Sequence, residues 1–150
     1  VTARDVTLEF PPPDVPPVSS GVTGPKSLAL SARVADGTIL PEGQGPEDVA
    51  RLRALVDAEP GPVDPVRTQD RHRLTVFTGF YCGDLAELPP PPEHLPSGWA
   101  AVGPTPEAVA AELSSLVEAG ADAVVLVPFA EDQVTQVELA AAEIWPQLQP

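Results

Sequence analysis

Methionine is absent from the 150 residues, and cysteine occurs once, at Cys82. A single thiol excludes an intrachain disulfide. The only imidazoles, His72 and His94, stand far apart, so no ligand spacing for a structural zinc exists. Cations are scarce as well: eight Lys and Arg stand against 22 Asp and Glu, a formal net charge of −14. A surface this acidic repels phosphate backbones, and no basic stripe interrupts it, which argues against nucleic acid as a partner. The acidity itself reads as solubility. No apolar run approaches the roughly 20 residues of a membrane span. No basic, then apolar, then small-residue start marks a secretory leader. A cytoplasmic soluble protein is the expectation. A chain that begins at Val1 and contains no methionine is also expected to have lost its initiator or an N-terminal part.

Proline is plentiful. The 21 prolines cluster at Pro11–Pro17, Pro60–Pro65 and Pro89–Pro96, which can be neither helix interiors nor central strands and read as connectors. The length suits one domain, and 43% hydrophobic residues suffice for a core. Val6–Phe10 alternates apolar and polar residues, the pattern of a short half-buried strand leading into the first proline cluster.

From residue 17 onward the pattern alternates between strand and helix. Val18–Gly21 predicts a short strand, and Pro25 stands where a first helical residue tolerates proline. Leu28, Ala29, Ala32 and Ala35 then form an apolar stripe, with Gly37 as the expected left-handed cap. Thr38–Leu40 is the next strand. Pro46 opens a second helix whose Glu47 and Asp48 favour the positive N-terminus and whose Val49, Leu52, Leu55 and Val56 form the expected buried face. Residues 59–71 read as loop. Leu74–Tyr81 is aromatic and β-branched, a strand by composition, and Gly83–Gly98 reads as a proline-rich irregular segment. Thr105 as N-cap, Pro106 and Glu107 start a third helix burying Val109, Leu113, Leu116 and Val117 and ending at Gly120. Ala123–Val127 is a continuous apolar run, as a parallel strand covered on both faces requires. A last helix from Asp132 is expected to bury Val134, Val137, Ala141 and Ile144 before Pro146.

Four strand–helix units with long crossovers predict an α/β fold with a parallel sheet. Four units make either a small open sheet or half of a (β/α)8 barrel, which takes roughly 250 residues. Ligands in such folds bind at the carboxyl ends of the strands. Those ends carry Gly21–Lys26, Pro41–Gly45, Gly79–Asp84 and Pro128–Asp132. The first, GVTGPK, offers backbone N–H groups and a helix dipole to an anion such as phosphate. Lys26 would add a point charge, and Ser19, Ser20 and Thr23 would add hydroxyls; the alternative is that Gly24–Pro25 only starts a helix. No P-loop and no complete dinucleotide fingerprint is present. A Ser–His–Asp site would need His72 or His94, both in loop or strand-edge contexts. Cys82 ends an apolar strand and reads as a buried, inert thiol. Glu42 stands either against a ligand or as a turn cap, and Phe80 and Tyr81 either against a planar ring or in the core.

The segment Gly21–Gly43, GVTGPKSLALSARVADGTILPEG, resembles the luciferase-like monooxygenase superfamily of flavin- or deazaflavin-dependent (β/α)8 oxidoreductases. Val102–Pro128 is similar to that family's final helix and strand, and Leu74–Gly79 extends the match. Only the family's C-terminal half is matched. The resemblance implies a cofactor, FMN or a deazaflavin (coenzyme F-420), whose phosphate is held by Gly21, Gly24, Pro25 and Lys26 with Glu42 and Gly43 beside them. The half that supplies strands one to four, much of the ring's bed and most substrate contacts has no counterpart here, and no catalytic acid or base can be named. The expectation is a C-terminal portion of such an oxidoreductase, contributing phosphate-binding loops and acting with a missing barrel half or a partner chain. The alternative is a truncated, non-catalytic half-barrel that self-associates through its open edges and binds flavin weakly or not at all.

Overall fold

A computed structural model describes residues 7, 9–14, 16–60, 71–88, 100–129 and 132–148. Strands and helices alternate in the order the prolines and apolar runs predict. They are β1 (Ser19–Gly21), α1 (Pro25–Val34), β2 (Gly37–Leu40), α2 (Pro46–Asp57), β3 (Arg73–Cys82), β4 (Ala100–Gly103), α3 (Pro106–Glu118), β5 (Ala123–Pro128) and α4 (Gln133–Leu139). A short 3-10 turn, Leu85–Glu87, follows β3. Beyond α4 the chain widens into a π turn, Ala140–Ile144, and tightens into a 3-10 turn, Trp145–Gln147. No helix among the described residues is long and apolar enough to cross a membrane.

All strands run parallel, and β3 is the hub. Its first residues pair with β2, from Gly37 opposite Arg73 to Leu40 opposite Val76. Residues Thr75–Phe80 pair with β5 on the other edge. Gly79–Cys82 pair with β4, which shares the edge used by β2 because Gly79 and Phe80 already face β5 on the opposite side. β1 extends the sheet beyond β2. Around the curve of the sheet this leaves four strands, β1, β2, β3 and β5, each followed by a helix. That is the architecture of a partial (β/α)8 barrel.

Residues opposite one another in a parallel register share a face, and here the two faces differ. The outer face carries Leu40, Leu74 and Val76, packed on Leu28 and Ala32 of α1, Val49, Leu52 and Val56 of α2, and Leu116. A second cluster joins Phe80 and Cys82 to Val109, Ala110 and Leu113 of α3 and to Ala140 and Ile144, with Val124 touching both clusters. Each fully buried Leu, Val or Phe side chain contributes about 1.5–3 kcal/mol. The inner face has the row Gly21, Ile39, Thr75 and Ala123, with Phe77 beside Val125 and Gly79 beside Val127 above it. Among the described residues no helix covers this face: no residue of β5 is fully buried, and Val125 is 36% exposed.

Polar side chains tie the amino ends of the strands together. The buried Arg53 guanidinium donates to the His72 carbonyl at 2.9 Å and to Asp122 at 3.5 Å, and pairs with Asp57. Asp122 in turn accepts the Leu74 N–H at 2.7 Å. A second chain runs through buried hydroxyls: Ser20 to Ser31, Ser31 to Thr38 at 2.7 Å, and Thr38 to His72 Nε2 at 2.9 Å. His72 Nδ1 faces the Ala35 carbonyl at 3.1 Å. A carbonyl only accepts, so the His72 Nδ1 bears a proton.

Several sequence expectations need correction. Gly37 is no helix cap: α1 ends through an extended Ala35, and Gly37 opens β2. Its missing side chain matters for another reason, since a Cβ there would stand 2.7 Å from Ser19 Oγ and 2.8 Å from the Arg73 carbonyl. Leu55 and Val117 are exposed, and Arg53 and Ala110 take their places on the buried faces. The short strand β4 is additional. Of Val6–Phe10, Val6 and Leu8 lie outside the described residues, while Thr7, Glu9 and Phe10 form no strand. Most of the Gly83–Gly98 segment, His94 included, also lies outside them.

The last helix is rotated from its expected setting. Gln136, Ala140 and Ile144 face inward, while Val134, Val137 and Ala141 are exposed. The cause is the sheet edge. Beyond the pair Phe80–Pro128, the register gives β3 no further partner on β5. The Gln136 side chain fills in: its Oε1 accepts the Cys82 N–H at 2.8 Å and its Nε2 donates to the Cys82 carbonyl at 3.0 Å.

Two stability measurements follow. Gln136→Leu orphans both buried Cys82 backbone groups at roughly 1–3 kcal/mol each, so urea denaturation is expected to show a loss of about 2–4 kcal/mol. Gly120 sits at φ +110 in a terminating turn, with Ala121 N–H bonded to the Leu116 carbonyl at 3.1 Å. A Cβ there would lie 2.7 Å from Arg53 Cγ. Gly120→Ala is expected to lower stability by about 1–3 kcal/mol, and an unchanged denaturation midpoint would refute this account of the turn.

Candidate functional site

The carboxyl ends of the strands converge on the rim opposite the Arg53 and His72 clusters. β1 stops at Gly21, and the loop Val22–Gly24 leads directly into Pro25 at the head of α1. Gly24 is the N-cap, extended at φ −72 and ψ 143, and no side chain accepts a hydrogen bond from the first turn. A Cβ on Gly24 would meet only Ser27 Oγ, at 3.9 Å, and one on Gly21 would meet nothing within 4 Å. Space therefore stands in front of the helix start. The neighbouring turn after β2 is held by Gly43, buried at φ +93, a conformation that glycine adopts without a Cβ penalty.

Between these two loops lies a cleft of about 420 Å³ lined by Gly21, Val22, Thr23, Ile39, Pro41, Glu42 and Phe77. Its floor is apolar, from Ile39 and Phe77 on the inner face of the sheet, and its rim is polar, from Thr23 and Glu42. Of the residues singled out from sequence, Gly21, Thr23 and Glu42 line this cleft together. Gly24, Pro25 and Lys26 stand exposed beside it at the start of α1. Gly43 shapes the turn from beneath. Ile39 and Phe77 were not anticipated as site residues. The signal was present in the alternation of Leu74–Tyr81, where Thr75 and Phe77 occupy the parity opposite Leu74 and Val76 and so face the other side of the sheet.

Other candidates are placed elsewhere. The Ser20 hydroxyl is engaged with Ser31 on the outer face and is no ligand donor. His72 belongs to the amino end of the sheet, across the barrel from this rim, so it forms no nucleophilic triad here. Cys82 is buried, and burial above all, helped by Glu143 and Glu107, holds its thiol pKa above the ordinary value. Phe80 packs in the outer core. Tyr81 is nearly buried, donates to the Asp84 carbonyl at 3.3 Å and lies with its ring 6.3 Å from that of Phe129. Among the described residues no three His, Cys, Asp or Glu converge as a metal site would require.

Among the described residues the other α-helix starts carry a capping side chain or, at the equally uncapped α2, first-turn acids. Thr105 caps α3 by accepting the Ala108 N–H at 3.3 Å, with Glu107 in the first turn. Asp132 caps α4, and hydrogen bonds from the Thr135 hydroxyl and N–H hold its carboxyl below the ordinary value. α2 carries Glu47 and Asp48 in its first turn. α1 has neither a capping side chain nor a first-turn acid, and the chain's single lysine is its second residue. The positive end of that helix dipole is therefore available to an anionic ligand.

No family model and no curated protein matches this sequence. Among solved structures, the chain is similar to the coenzyme F420 dependent tetrahydromethanopterin reductase from Methanopyrus kandleri, with a TM-score of 0.66 and 16% identity. The superposition covers 89% of this chain and 51% of that enzyme. At that identity the likeness is one of fold. The chain thus spans about half the length of an F420-dependent reductase whose α/β architecture it shares.

Proposed function

We propose that this half-barrel holds the phosphate-bearing tail of a flavin-type redox cofactor at the rim between β1 and β2, as part of a luciferase-like oxidoreductase. The observation that carries the reading is the uncapped start of α1. In a chain of net charge −14, the Lys26 and Ser27 N–H groups and the Lys26 ammonium form a local positive site. It opens beside a cleft with an apolar floor. An anion bound there gains the helix dipole and charge-assisted hydrogen bonds. Glu42 only accepts hydrogen bonds when ionised, so it suits a hydroxyl-bearing part of the ligand rather than its phosphate. Ile39 and Phe77 offer surface to an apolar or planar portion. Of the two cofactors the sequence resemblance allows, a deazaflavin is favoured over FMN, because the similar reductase depends on coenzyme F420.

When bound, such a cofactor supplies hydride transfer. The residues of this chain bind and orient it and keep water from the apolar floor. Among the cleft-lining side chains only Glu42 is ionisable, so general acid–base chemistry at this cleft rests on that carboxylate or on groups outside this chain.

Titration of the protein with coenzyme F420 and with FMN, followed by fluorescence, tests the reading. Lys26→Ala removes one charge-assisted contact and is expected to weaken binding roughly 10- to 100-fold. Gly24→Val places a side chain in front of the helix start and is expected to weaken it similarly. Absence of saturable binding by the unaltered protein would refute the proposal, as would full binding by Lys26→Ala.

A further inference from the structure

β1 carries the first wall of the cleft on three residues. It pairs with β2 from Ser19 opposite Gly37 to Gly21 opposite Ile39, and among the described residues nothing pairs with its other edge. Gly21 then gives way to the loop Val22–Gly24, and α1 follows at Pro25. The strand that presents Gly21, Val22 and Thr23 to a ligand is thus the shortest of the described strands. Its backbone ladder holds it on one side.

A side chain holds it from behind. Ser20 and Thr38 stand opposite one another in the register and share the outer face of the sheet. α1 lays Ser31 across the pair. The Ser31 hydroxyl lies 2.5 Å from Ser20 Oγ, 2.7 Å from Thr38 Oγ1 and 3.4 Å from the Gly37 carbonyl, and Ser31 is 2% exposed. A hydroxyl has one proton to donate and two acceptor positions, so three oxygen neighbours use all that it has. One side chain therefore joins β1, β2 and α1, the three elements whose ends meet at the cleft. Gly21 follows Ser20, Ile39 follows Thr38, and Pro25 opens α1 roughly 9 Å along the helix before Ser31.

Apolar packing by itself leaves this arrangement loose. Leu28 and Ala32 flank Ser31 on the buried side of α1, but burial of apolar surface is non-directional and lets a helix slide along a sheet at little cost. Hydroxyl–hydroxyl bonds hold their oxygens within a range of about 0.5 Å. That is about the tolerance a binding site allows its groups. Serine also gives the helix nothing that alanine would not give it better, so the hydroxyl is present for its partners.

We propose that Ser31 is a positioning residue for the ligand cleft. Its hydroxyl sets the separation between the end of β1, the end of β2 and the first turn of α1, and with it the placement of Lys26 beside the cleft. Ser31 touches no ligand, because its partners Ser20 and Thr38 face the outer side of the sheet, whereas Gly21, Ile39 and Phe77 face the inner side.

The proposal rests on the cofactor reading for its ligand, and the experiment separates the two. Binding of coenzyme F420 and of FMN to the full chain is followed by fluorescence, and stability by urea denaturation. Ser31→Ala is expected to weaken cofactor binding roughly 10-fold. Gln136→Leu is the comparison: it lowers stability at the other edge of β3 and is expected to leave the cofactor Kd unchanged. The decisive readout is coupling. With Ser31 acting through the first turn of α1, Lys26→Ala weakens binding clearly less in the Ser31→Ala chain than in the unaltered chain, because the lysine is already misplaced. A serine that only stabilises the fold leaves the Lys26 effect whole. Should Ser31→Ala fail to fold, Ser20→Ala removes the β1 arm alone from a half-buried position and is expected to show the same coupling to a smaller degree. Undiminished binding by folded Ser31→Ala, equal weakening by Gln136→Leu, or additive effects of Ser31→Ala and Lys26→Ala would overturn the proposal and leave the cofactor reading standing. Absence of saturable binding by the unaltered chain would overturn the cofactor reading, and this proposal with it.

Discussion

A parallel sheet needs cover on both faces, because its strands carry apolar side chains in both directions and its crossovers bring helices. The described residues cover one face. Helices close over Leu40, Leu74, Val76 and Phe80, while among the described residues Ile39, Phe77 and Val125 stay partly exposed. The unfinished barrel, the exposed apolar flanks of α1 and α4 and the open cleft at the rim all follow from that asymmetry. An apolar strand such as Ala123–Pro128 stays partly wet only when the surface that would dry it lies outside the described chain.

The two rims of the sheet are built for different ends. At the amino rim, polar groups are joined to one another: Arg53 to Asp122 and Asp57, and Ser31 to Thr38 to His72. Breaking one member leaves another buried without its partner, which is the costly case for polar groups in an interior. At the carboxyl rim the chain spends little on itself. Glycines at 21 and 24 leave space, and the first turn of α1 has no side-chain cap. A rim that withholds its own acceptors from a helix start is suited to receive one from a ligand.

Much of the fold was legible in the residues. Pro25, Pro46 and Pro106 mark the first turns of three helices because a missing N–H costs nothing there. Gly120 ends α3 because its positive φ suits glycine. The parallel register was implied by β-branched runs separated by long crossovers. The candidate site was legible in part. Gly21 and Glu42 do line one cleft, since both follow strand ends. Ile39 and Phe77 were missed because the strand pattern says that residues alternate between faces, not which face holds the ligand. β4 was missed because Ala100–Gly103 pairs with the far half of an unusually long β3, a long-range choice with no local mark.

The sequence by itself determined, to within a residue, where the helices and every described strand but β4 begin, and that these strands lie parallel, because capping, proline geometry and apolar periodicity act over a few residues. Tertiary structure alone decided which side of each element became the inside. Val134, Val137 and Ala141 offer α4 as apolar a stripe as any, yet the unpaired Cys82 backbone at the end of β3 draws Gln136 inward and turns that stripe to the solvent. A buried N–H and carbonyl without partners cost more than exposed valines. That comparison exists only once two segments distant in sequence have met.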